Sequence, residues 1–414
     1  MKLTRRTMLG TMLAGTTAAT MAPFAVRSQA RTTLKLGILA DMTGTYSDLG
    51  GPLLEPCVRQ AIQDSGIAER GFDVEVVIAD HLNKVDVGLG IAGRWMDRDG
   101  VDALVDISNS ALALALAPVV RTKDKVQLNT GAGTSDLTGA ACTPNLVHWS
   151  FDSWESAHST CVATVRTGGD TWFFITPDYA FGTAAQRDAT QFIEAAGGMV
   201  LGSVKYPFPG TTDFASYLIQ AQSSGAKVVS PVVTGSDLVN CVKQAGEFGL
   251  AAKGIKMAAP ITYINDVHGI GLAAAQGLFL TETFYWDLND RTRSFTGRVK
   301  HAFGSKVPNP EQAGAYSGVL HYLKAVALIG GPQAKQSGRA VVDAMKKLPT
   351  DDDVFGPGRV REDGQKLHPA YLFEVKSPAE STRDWDFYKL RATTPTEEAF
   401  RPMNIGGCPL VAKG

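Results

Sequence analysis

The sequence lacks the motifs by which α/β enzymes usually bind a cofactor or activate a nucleophile. No strand-like segment is followed by the glycine spacing of a dinucleotide-binding or phosphate-binding loop, and no Gly-x-Ser-x-Gly elbow occurs. The seven histidines stand singly, without the spacing of a metal site. We therefore predict no catalytic residue, no cofactor and no metal, and expect that the protein is not an enzyme.

Long apolar runs and basic tracts are also missing beyond the first thirty residues. No later segment holds the roughly eighteen unbroken apolar residues of a membrane span, so we expect the processed chain to be soluble. Without the first thirty residues the chain has 36 basic and 41 acidic residues, a net charge of −5. Because no block of Lys and Arg offsets this acidity, the sequence predicts no nucleic-acid partner.

Cysteines are few, and none lies in a Cys-x-x-Cys pair. The five are Cys57, Cys142, Cys161, Cys241 and Cys408. An odd number leaves at least one thiol unpaired, and the pattern favours buried thiols with room for one disulfide. The sequence does not determine which two cysteines would pair.

The first thirty residues have the composition of a cleavable export signal. A basic start that includes Arg5 and Arg6 precedes an apolar and small-residue run over 8–25, and cleavage is expected after Ala30. The segment 4–9 resembles a twin-arginine signal, and the alternative is an ordinary secretory signal that happens to contain two arginines. Either interpretation predicts export, and we expect a periplasmic location.

The remaining chain alternates between β-rich apolar runs and segments with helical periodicity. The predicted strands are 34–40, 74–79, 103–107, 126–128, 172–175, 199–204, 227–233 and 256–258. Strands that are separated by helices form parallel sheets, and the helices cover both faces of each sheet. The pattern restarts near residue 152, and long helices after 284 are expected to pack back on the first half.

This pattern predicts an α/β fold of two doubly wound parallel-sheet lobes. We expect the first lobe to comprise 31–151 and 284–358, and the second to comprise 152–283 and 359–414. Open α/β sheets bind ligands at the carboxyl ends of their strands, so two such lobes would enclose a ligand in a cleft between them.

Two first-lobe loops could bind an anion in such a cleft. Ser110 stands at a predicted helix start, and the glycine-rich loop 130–134 offers backbone amides that could hold a carboxylate. The alternative is that Ser110 only caps a helix and that the glycines only form a turn.

Five segments, in this order along the chain, resemble those of a known protein family. They are LKLGILADMTGTYSDLGGP, VIADHLNKVDVGLGIAGRWMD, DISNSALALALAPVV, LNTGAGTSDLTG and WFFITPDYAFG. Over nearly all of its mature length the chain resembles the leucine/isoleucine/valine-binding type of class I periplasmic substrate-binding protein of ABC transporters. The resemblance implies two lobes that are joined by three hinge crossovers and close on one small solute. It also implies that the protein is a monomer and that its partner is an ABC permease of the inner membrane.

The resemblance also implies roles for individual residues. Ser110 is similar to the serine whose hydroxyl holds the ligand carboxylate in that family. Ala132 and Thr134 are similar to the pair that supplies a backbone amide and a hydroxyl to the same group. Tyr179 resembles the second-lobe tyrosine that closes over the ligand.

No residue clearly matches the acid that meets the ammonium group of an amino acid. Asp266 and Asp237 lie near the expected place, but Thr262, Tyr263 and Ile264 stand where the match is sought. The departure disfavours an amino-acid ligand.

Aromatic side chains are frequent near the expected lobe edges and crossovers. They favour an aromatic or otherwise apolar carboxylic acid over a branched-chain amino acid, although packing of the core and hinge would account for many of them. Those concerned are Tyr46, Trp149, Phe151, Trp154, Tyr179, Phe181 and Tyr263. The predicted ligand-binding residues are Tyr46, Ser110, Ala132, Gly133, Thr134, Phe151, Tyr179, Phe181, Ser236, Tyr263 and Asp266.

Two other functions are compatible with the same fold. One is a periplasmic sensory receptor that reports the solute to a regulator. The other is a periplasmic hydrolase, which the absence of an evident nucleophile disfavours.

Overall fold

The computed structural model describes residues 31–411, so the expected signal over 1–30 lies outside the described residues. The strands are β1 (Thr32–Ala40), β2 (Phe72–Asp80), β3 (Ala103–Asp106), β4 (Val126–Asn129), β5 (Leu146–His148), β6 (Thr171–Pro177), β7 (Met199–Tyr206), β8 (Val228–Pro231), β9 (Lys256–Met257), β10 (Phe279–Glu282), β11 (Arg359–Val360), β12 (Lys366–Leu367), β13 (Ala370–Val375) and β14 (Tyr388–Thr394).

Helices separate most of these strands. They are α1 (Leu54–Asp64), α2 (Val85–Arg94), α3 (Ser110–Thr122), α4 (Ser153–Arg166), α5 (Ala180–Ala195), α6 (Ala215–Ser223), α7 (Ser236–Glu247), α8 (Ile264–Ile270), α9 (Leu272–Ala275), α10 (Asp290–Phe303), α11 (Pro310–Ile329), α12 (Gly331–Gln336), α13 (Gly338–Lys347) and α14 (Thr396–Ala399). Within residues 31–411 no helix is long and apolar enough to cross a bilayer.

The first lobe is built on a parallel sheet with strand order β2-β1-β3-β4-β5. Strands β3, β4 and β5 are buried throughout, because helices cover both faces of the sheet. The long helix α11 is buried along most of its length and packs on α1 and α13. The helices after residue 284 therefore pack back on the first lobe, as the sequence predicts.

The second lobe has a parallel sheet of order β7-β6-β8-β9 and a separate antiparallel sheet of order β10-β13-β14. The parallel sheet confirms the doubly wound pattern expected for this half of the chain. The antiparallel sheet extends the lobe beyond that pattern and packs against α4 through β10.

After residue 358 the chain divides between the lobes, which differs from the expected assignment of 359–414 to the second lobe. His148 of β5 forms a parallel bridge with Gln365, and β11 packs against α13, so 359–367 lie beside the first-lobe sheet. Strands β13 and β14 then join the second lobe. Two-residue strands such as β11 and β12 carry no periodicity from which this could be predicted.

One disulfide ties the end of the described chain to the first lobe. It joins Cys142 to Cys408, which are 266 positions apart. Cys57, Cys161 and Cys241 are buried free thiols. The bridge therefore returns the C-terminal segment to the lobe in which the described chain begins.

Replacing Cys142 and Cys408 by Ser should lower the free energy of unfolding by about 2–5 kcal/mol, because the bridge restricts the unfolded chain over a long loop. Urea unfolding would measure the loss. Dithiothreitol should destabilise the parent protein by a similar amount and leave the double variant unchanged. Equal stability of parent and double variant would contradict this role of the bridge.

Candidate ligand-binding cleft

The carboxyl ends of the two parallel sheets face each other and enclose a small cavity. The first lobe contributes the loops after β1, β3 and β4 and the start of α11, and the second lobe contributes the loops after β6 and β8 and the segment before α8. The lining residues are Tyr46, Leu49, Ser108, Ser110, Gly131, Gly133, Phe151, Tyr179, Phe181, Thr234, Ile261 and Glu311.

Ser110 is the first residue of α3 and lies at the polar end of the cavity. The preceding Asn109 caps the helix, because its side chain accepts a hydrogen bond from the N–H of Leu112. The hydroxyl of Ser110 is buried and has no hydrogen-bond partner among the described residues. A helix N-terminus carries partial positive charge, so this unpaired hydroxyl stands where an anion is favoured.

The loop after β4 brings its backbone close to the cavity. None of the backbone hydrogen bonds between loops uses the N–H of Gly133 or Thr134. A Cβ atom on Gly133 would lie 2.8 Å from the ring of Phe181, so glycine is required for this close approach. The free amides of the loop can therefore donate to a ligand at the same end as Ser110.

Apolar side chains from both lobes form the other end of the cavity. Phe151, Phe181, Leu49 and Ile261 line it and are all buried. The ring of Phe151 packs on that of Tyr263, with centroids 4.9 Å apart. This end suits an apolar body attached to an anionic head.

Hydrogen bonds join the two lobes across the mouth of the cleft. The hydroxyl groups of Tyr46 and Tyr179 bond to each other, and Tyr179 stacks on Phe208 at 4.3 Å between ring centroids. Beside them the N–H of Ser236 donates to the carbonyl of Thr45 at 3.0 Å. Burial raises the pKa of both tyrosines, so they stay neutral. The structure is therefore closed.

Ala132 and Thr134 lie behind the lining residues. The carbonyl of Ala132 accepts hydrogen bonds from Asn129 and His148, and the hydroxyl of Thr134 accepts one from the N–H of Asp136. Both residues are 0 % exposed. In the closed structure the Ala132 carbonyl and the Thr134 hydroxyl support the loop that carries Gly133.

Asp266 and Asp237 also lie outside the cavity lining, and their carboxyl groups accept hydrogen bonds from other groups of the protein. Asp266 accepts hydrogen bonds from the side chain of Thr234 and from the N–H groups of Gly235 and Tyr263. Asp237 accepts hydrogen bonds from the hydroxyls of Thr45 and Tyr206. Burial raises the pKa of Asp266 to about 7 and that of Asp237 to about 6.

The remaining predicted aromatic residues pack in the cores. Trp149 belongs to the first-lobe core and donates from its indole N–H to Ser317, whereas Trp154 packs edge-on against Phe192 in the second lobe. Of the residues predicted to bind the ligand, those that line the cavity are Tyr46, Ser110, Gly133, Phe151, Tyr179 and Phe181.

Glu311 is a cavity residue that the sequence analysis did not find. It follows Asn309 and Pro310 in the first turn of α11, some 200 positions after Ser110, and is 2 % exposed. Burial and the neighbouring Asp106 raise its pKa well above the ordinary value. One sequence feature could have indicated Glu311 as a site residue, namely a carboxylate in the first turn of a helix that is otherwise largely apolar.

Comparisons with known proteins identify the family. The periplasmic binding protein family matches residues 33–381. A periplasmic binding protein from Burkholderia mallei is 42% identical, with a TM-score of 0.86 over 92% of this chain and 99% of that one. The chain therefore belongs to the periplasmic binding proteins of ABC transporters, which are solute-binding receptors. No curated protein gives a significant match.

Two further solved structures are similar. A branched-chain amino acid ABC transporter ligand-binding protein from Burkholderia xenovorans is 37% identical, with a TM-score of 0.78 over 91% of this chain and 99% of that one. An ABC transporter solute-binding protein from R. palustris in complex with 4-hydroxybenzoate is 22% identical, with a TM-score of 0.78 over 88% and 97% of the two chains. The second likeness shows the fold alone.

Two buried hydroxyls of the cleft loops should respond differently to removal. Thr134→Ala should lower the free energy of unfolding by about 1 kcal/mol, because this hydroxyl caps the turn at Asp136. Ser110→Ala should not destabilise the protein, because its hydroxyl has no partner to lose. Urea unfolding of both variants would measure the difference. A loss in Ser110→Ala equal to that in Thr134→Ala would show that Ser110 has a structural role.

Proposed function

We propose that the protein is the periplasmic receptor of an ABC importer for a small carboxylic acid with an aromatic or other apolar body, and that it delivers this solute to a permease in the inner membrane. The observation that carries the proposal is the unpaired Ser110 hydroxyl at the start of α3, inside a closed cavity. Buried polar groups in native proteins nearly always have partners, so a ligand oxygen is expected to complete this one.

The charge of the head group follows from the donors that surround Ser110. The first N–H groups of α3, the amides of the loop at Gly133 and the serine hydroxyl can all donate hydrogen bonds. A carboxylate offers two oxygens to such donors and gains from the positive end of the helix.

The body of the solute is argued from the other end of the cavity. Phe151 and Phe181 line this end, and an aromatic ring can pack against their rings. The R. palustris protein similar in fold binds 4-hydroxybenzoate, and the more similar B. xenovorans protein is described as a branched-chain amino acid receptor. Both ligand types combine a carboxylate with a compact apolar body.

Closure of the two lobes couples binding to transport. The chain passes between the lobes near residues 150, 284 and 369, and these three passes would act as the hinge. The Tyr46–Tyr179 bond joins a first-lobe residue to a second-lobe residue in the cavity lining, so it can form only when the lobes meet. The buried disulfide between Cys142 and Cys408 fits an oxidising compartment such as the periplasm.

A thermal-shift and calorimetric screen tests the proposed function. Aromatic carboxylates and aliphatic amino acids should be compared, because a ligand at a hundredfold its dissociation constant adds about 2.7 kcal/mol of stability. Ser110→Ala should weaken binding of the best acid by about ten- to a hundredfold, since it removes one hydrogen bond to a charged group.

Ser230→Ala is the matched control for that variant. Its hydroxyl is also buried and unpaired, but it lies in β8 outside the cavity lining, so affinity should be unchanged. A screen in which neither panel stabilises the protein would contradict the proposal.

Tyr179→Phe should weaken ligand binding several-fold and shift the free protein towards an open form, because it removes the hydroxyl that meets Tyr46 while keeping the ring on Phe208. Small-angle scattering with and without ligand would measure closure. Tyr217→Phe, which removes a hydroxyl beside the core around Tyr206, is the control and should leave closure unchanged. Identical scattering of parent and Tyr179→Phe at every ligand concentration would disprove the role of the bond.

A further inference from the structure

A pair of buried carboxyl groups lies at the polar end of the cleft, and the carboxylate contacts proposed above leave it unexplained. Glu311 lines the cavity, and Asp106 at the end of β3 is 0 % exposed. Their carboxyl groups lie close together, since both approach Gly131. Two buried carboxyl groups this close disfavour each other's ionisation, so a proton is favoured on the pair.

Burial favours the protonated form of both carboxyl groups of the pair. It raises the pKa of Asp106 to about 7, and burial together with the neighbouring Asp106 raises the pKa of Glu311 well above its ordinary value. The other charged neighbour is Asp41, which adds negative potential. His81, which contacts Ser108, is neutral at pH 7 because burial lowers its pKa to about 4.

The carboxyl pair has more acceptor oxygens than the protein has donors for them. Asp106 Oδ1 accepts from the hydroxyl of Thr130 at 3.1 Å. Asp106 Oδ2 and Glu311 Oε1 receive no hydrogen bond from any other residue of the described chain. Leaving buried carboxyl oxygens without donors is costly, so a further donor is needed when the cleft is closed.

The surrounding backbone is shaped to hold the pair at the cavity. A Cβ atom on Gly131 would lie 2.6 Å from Asp106 Oδ1 and 2.8 Å from Glu311 Oε1, so only glycine leaves room for both carboxyl groups. Asp106 and Ile107 adopt φ values of 79° and 63°. A β-branched residue rarely has positive φ, and such strain is retained where the local geometry serves a purpose.

We propose that Asp106 and Glu311 select the ligand by accepting a hydrogen bond from an O–H or N–H group carried next to its carboxylate. The protein then takes α-hydroxy or α-amino acids in preference to acids with a plain methylene at that position. The inference rests on the proposed function, because Ser110 places the carboxylate at the same polar end that Glu311 lines.

Three acids that share a ring and a carboxylate test this selection: 3-phenylpropionate, 3-phenyllactate and phenylalanine. Isothermal titration calorimetry of the parent protein should show 3-phenyllactate or phenylalanine binding about a hundredfold tighter than 3-phenylpropionate, since a site built to accept a donor rejects the analogue that lacks it. 4-Methylpentanoate, 2-hydroxy-4-methylpentanoate and leucine repeat the comparison with an aliphatic body.

Two substitutions at Glu311 separate a specificity role from a structural one. Glu311→Leu removes the acceptor that lines the cavity and leaves only Asp106 Oδ2, so the ratio of affinities should fall strongly towards one. Glu311→Gln keeps the geometry of a protonated carboxyl group and should retain most of the preference for the hydroxy acid. Glu282→Gln is the control, because Glu282 is also buried but lies outside the cavity lining, where it accepts a hydrogen bond from Tyr388. The ratio of affinities in this variant should equal that of the parent protein.

The parent protein alone can overturn the inference. Equal affinities within both series of acids would disprove selection by the pair while leaving the proposed function intact. Absence of binding by any carboxylic acid in the wider screen would instead contradict the proposed function.

Proton exchange distinguishes the two kinds of donor. Titrations at pH 7 in buffers of different ionisation enthalpy should show proton release with phenylalanine, because its ammonium group lowers the pKa of the carboxyl pair, and almost none with 3-phenyllactate. Proton uptake with either ligand would overturn the proposal, because the pair would then be donating to the carboxylate.

Discussion

The closed cleft depends on a direct meeting of the carboxyl ends of two parallel sheets. In each lobe every loop from a strand to its following helix emerges at the same edge, because all strands of the sheet run in one direction. The contacts between Tyr46 and Tyr179 and between Ser236 and Thr45 hold these edges together. They enclose a small space in which each unpaired polar group strongly affects what can bind.

The main elements of the fold could be predicted because their signals are local. Helix α4 begins near residue 152, where the predicted pattern restarts, and Asp152 caps it by accepting from the N–H of Glu155. Buried parallel strands such as β3 read as short apolar runs. Strand β14 could not be predicted in this way, since most of its residues are exposed and polar and its position depends on pairing with β13.

In the candidate site, too, some residues could be predicted from the sequence and others could not. Ser110 and Tyr179 follow predicted strands closely, so their place at the cleft follows from topology. Asp266 stands in a similar local setting, yet its carboxylate is satisfied by Thr234 and by backbone N–H groups. Sequence does not distinguish a carboxylate that caps a helix from one that meets a ligand. Glu311 reaches the cleft from a distant helix, and only the packing of α11 on the first lobe brings it there.

The two ends of the cavity contribute differently to selectivity. An apolar wall of Phe151 and Phe181 discriminates weakly, because one methylene changes binding by about 1–3 kcal/mol. The polar end combines donors at Ser110 and the loop at Gly133 with acceptors at Asp106 and Glu311. A head group that provides only acceptors leaves the carboxyl pair unpaired, and one that provides only donors leaves the helix start unpaired. In both cases the unpaired groups are buried when the lobes meet, which is costly. The polar end therefore discriminates between solutes with the same apolar body, and closure of the lobes makes this discrimination strong.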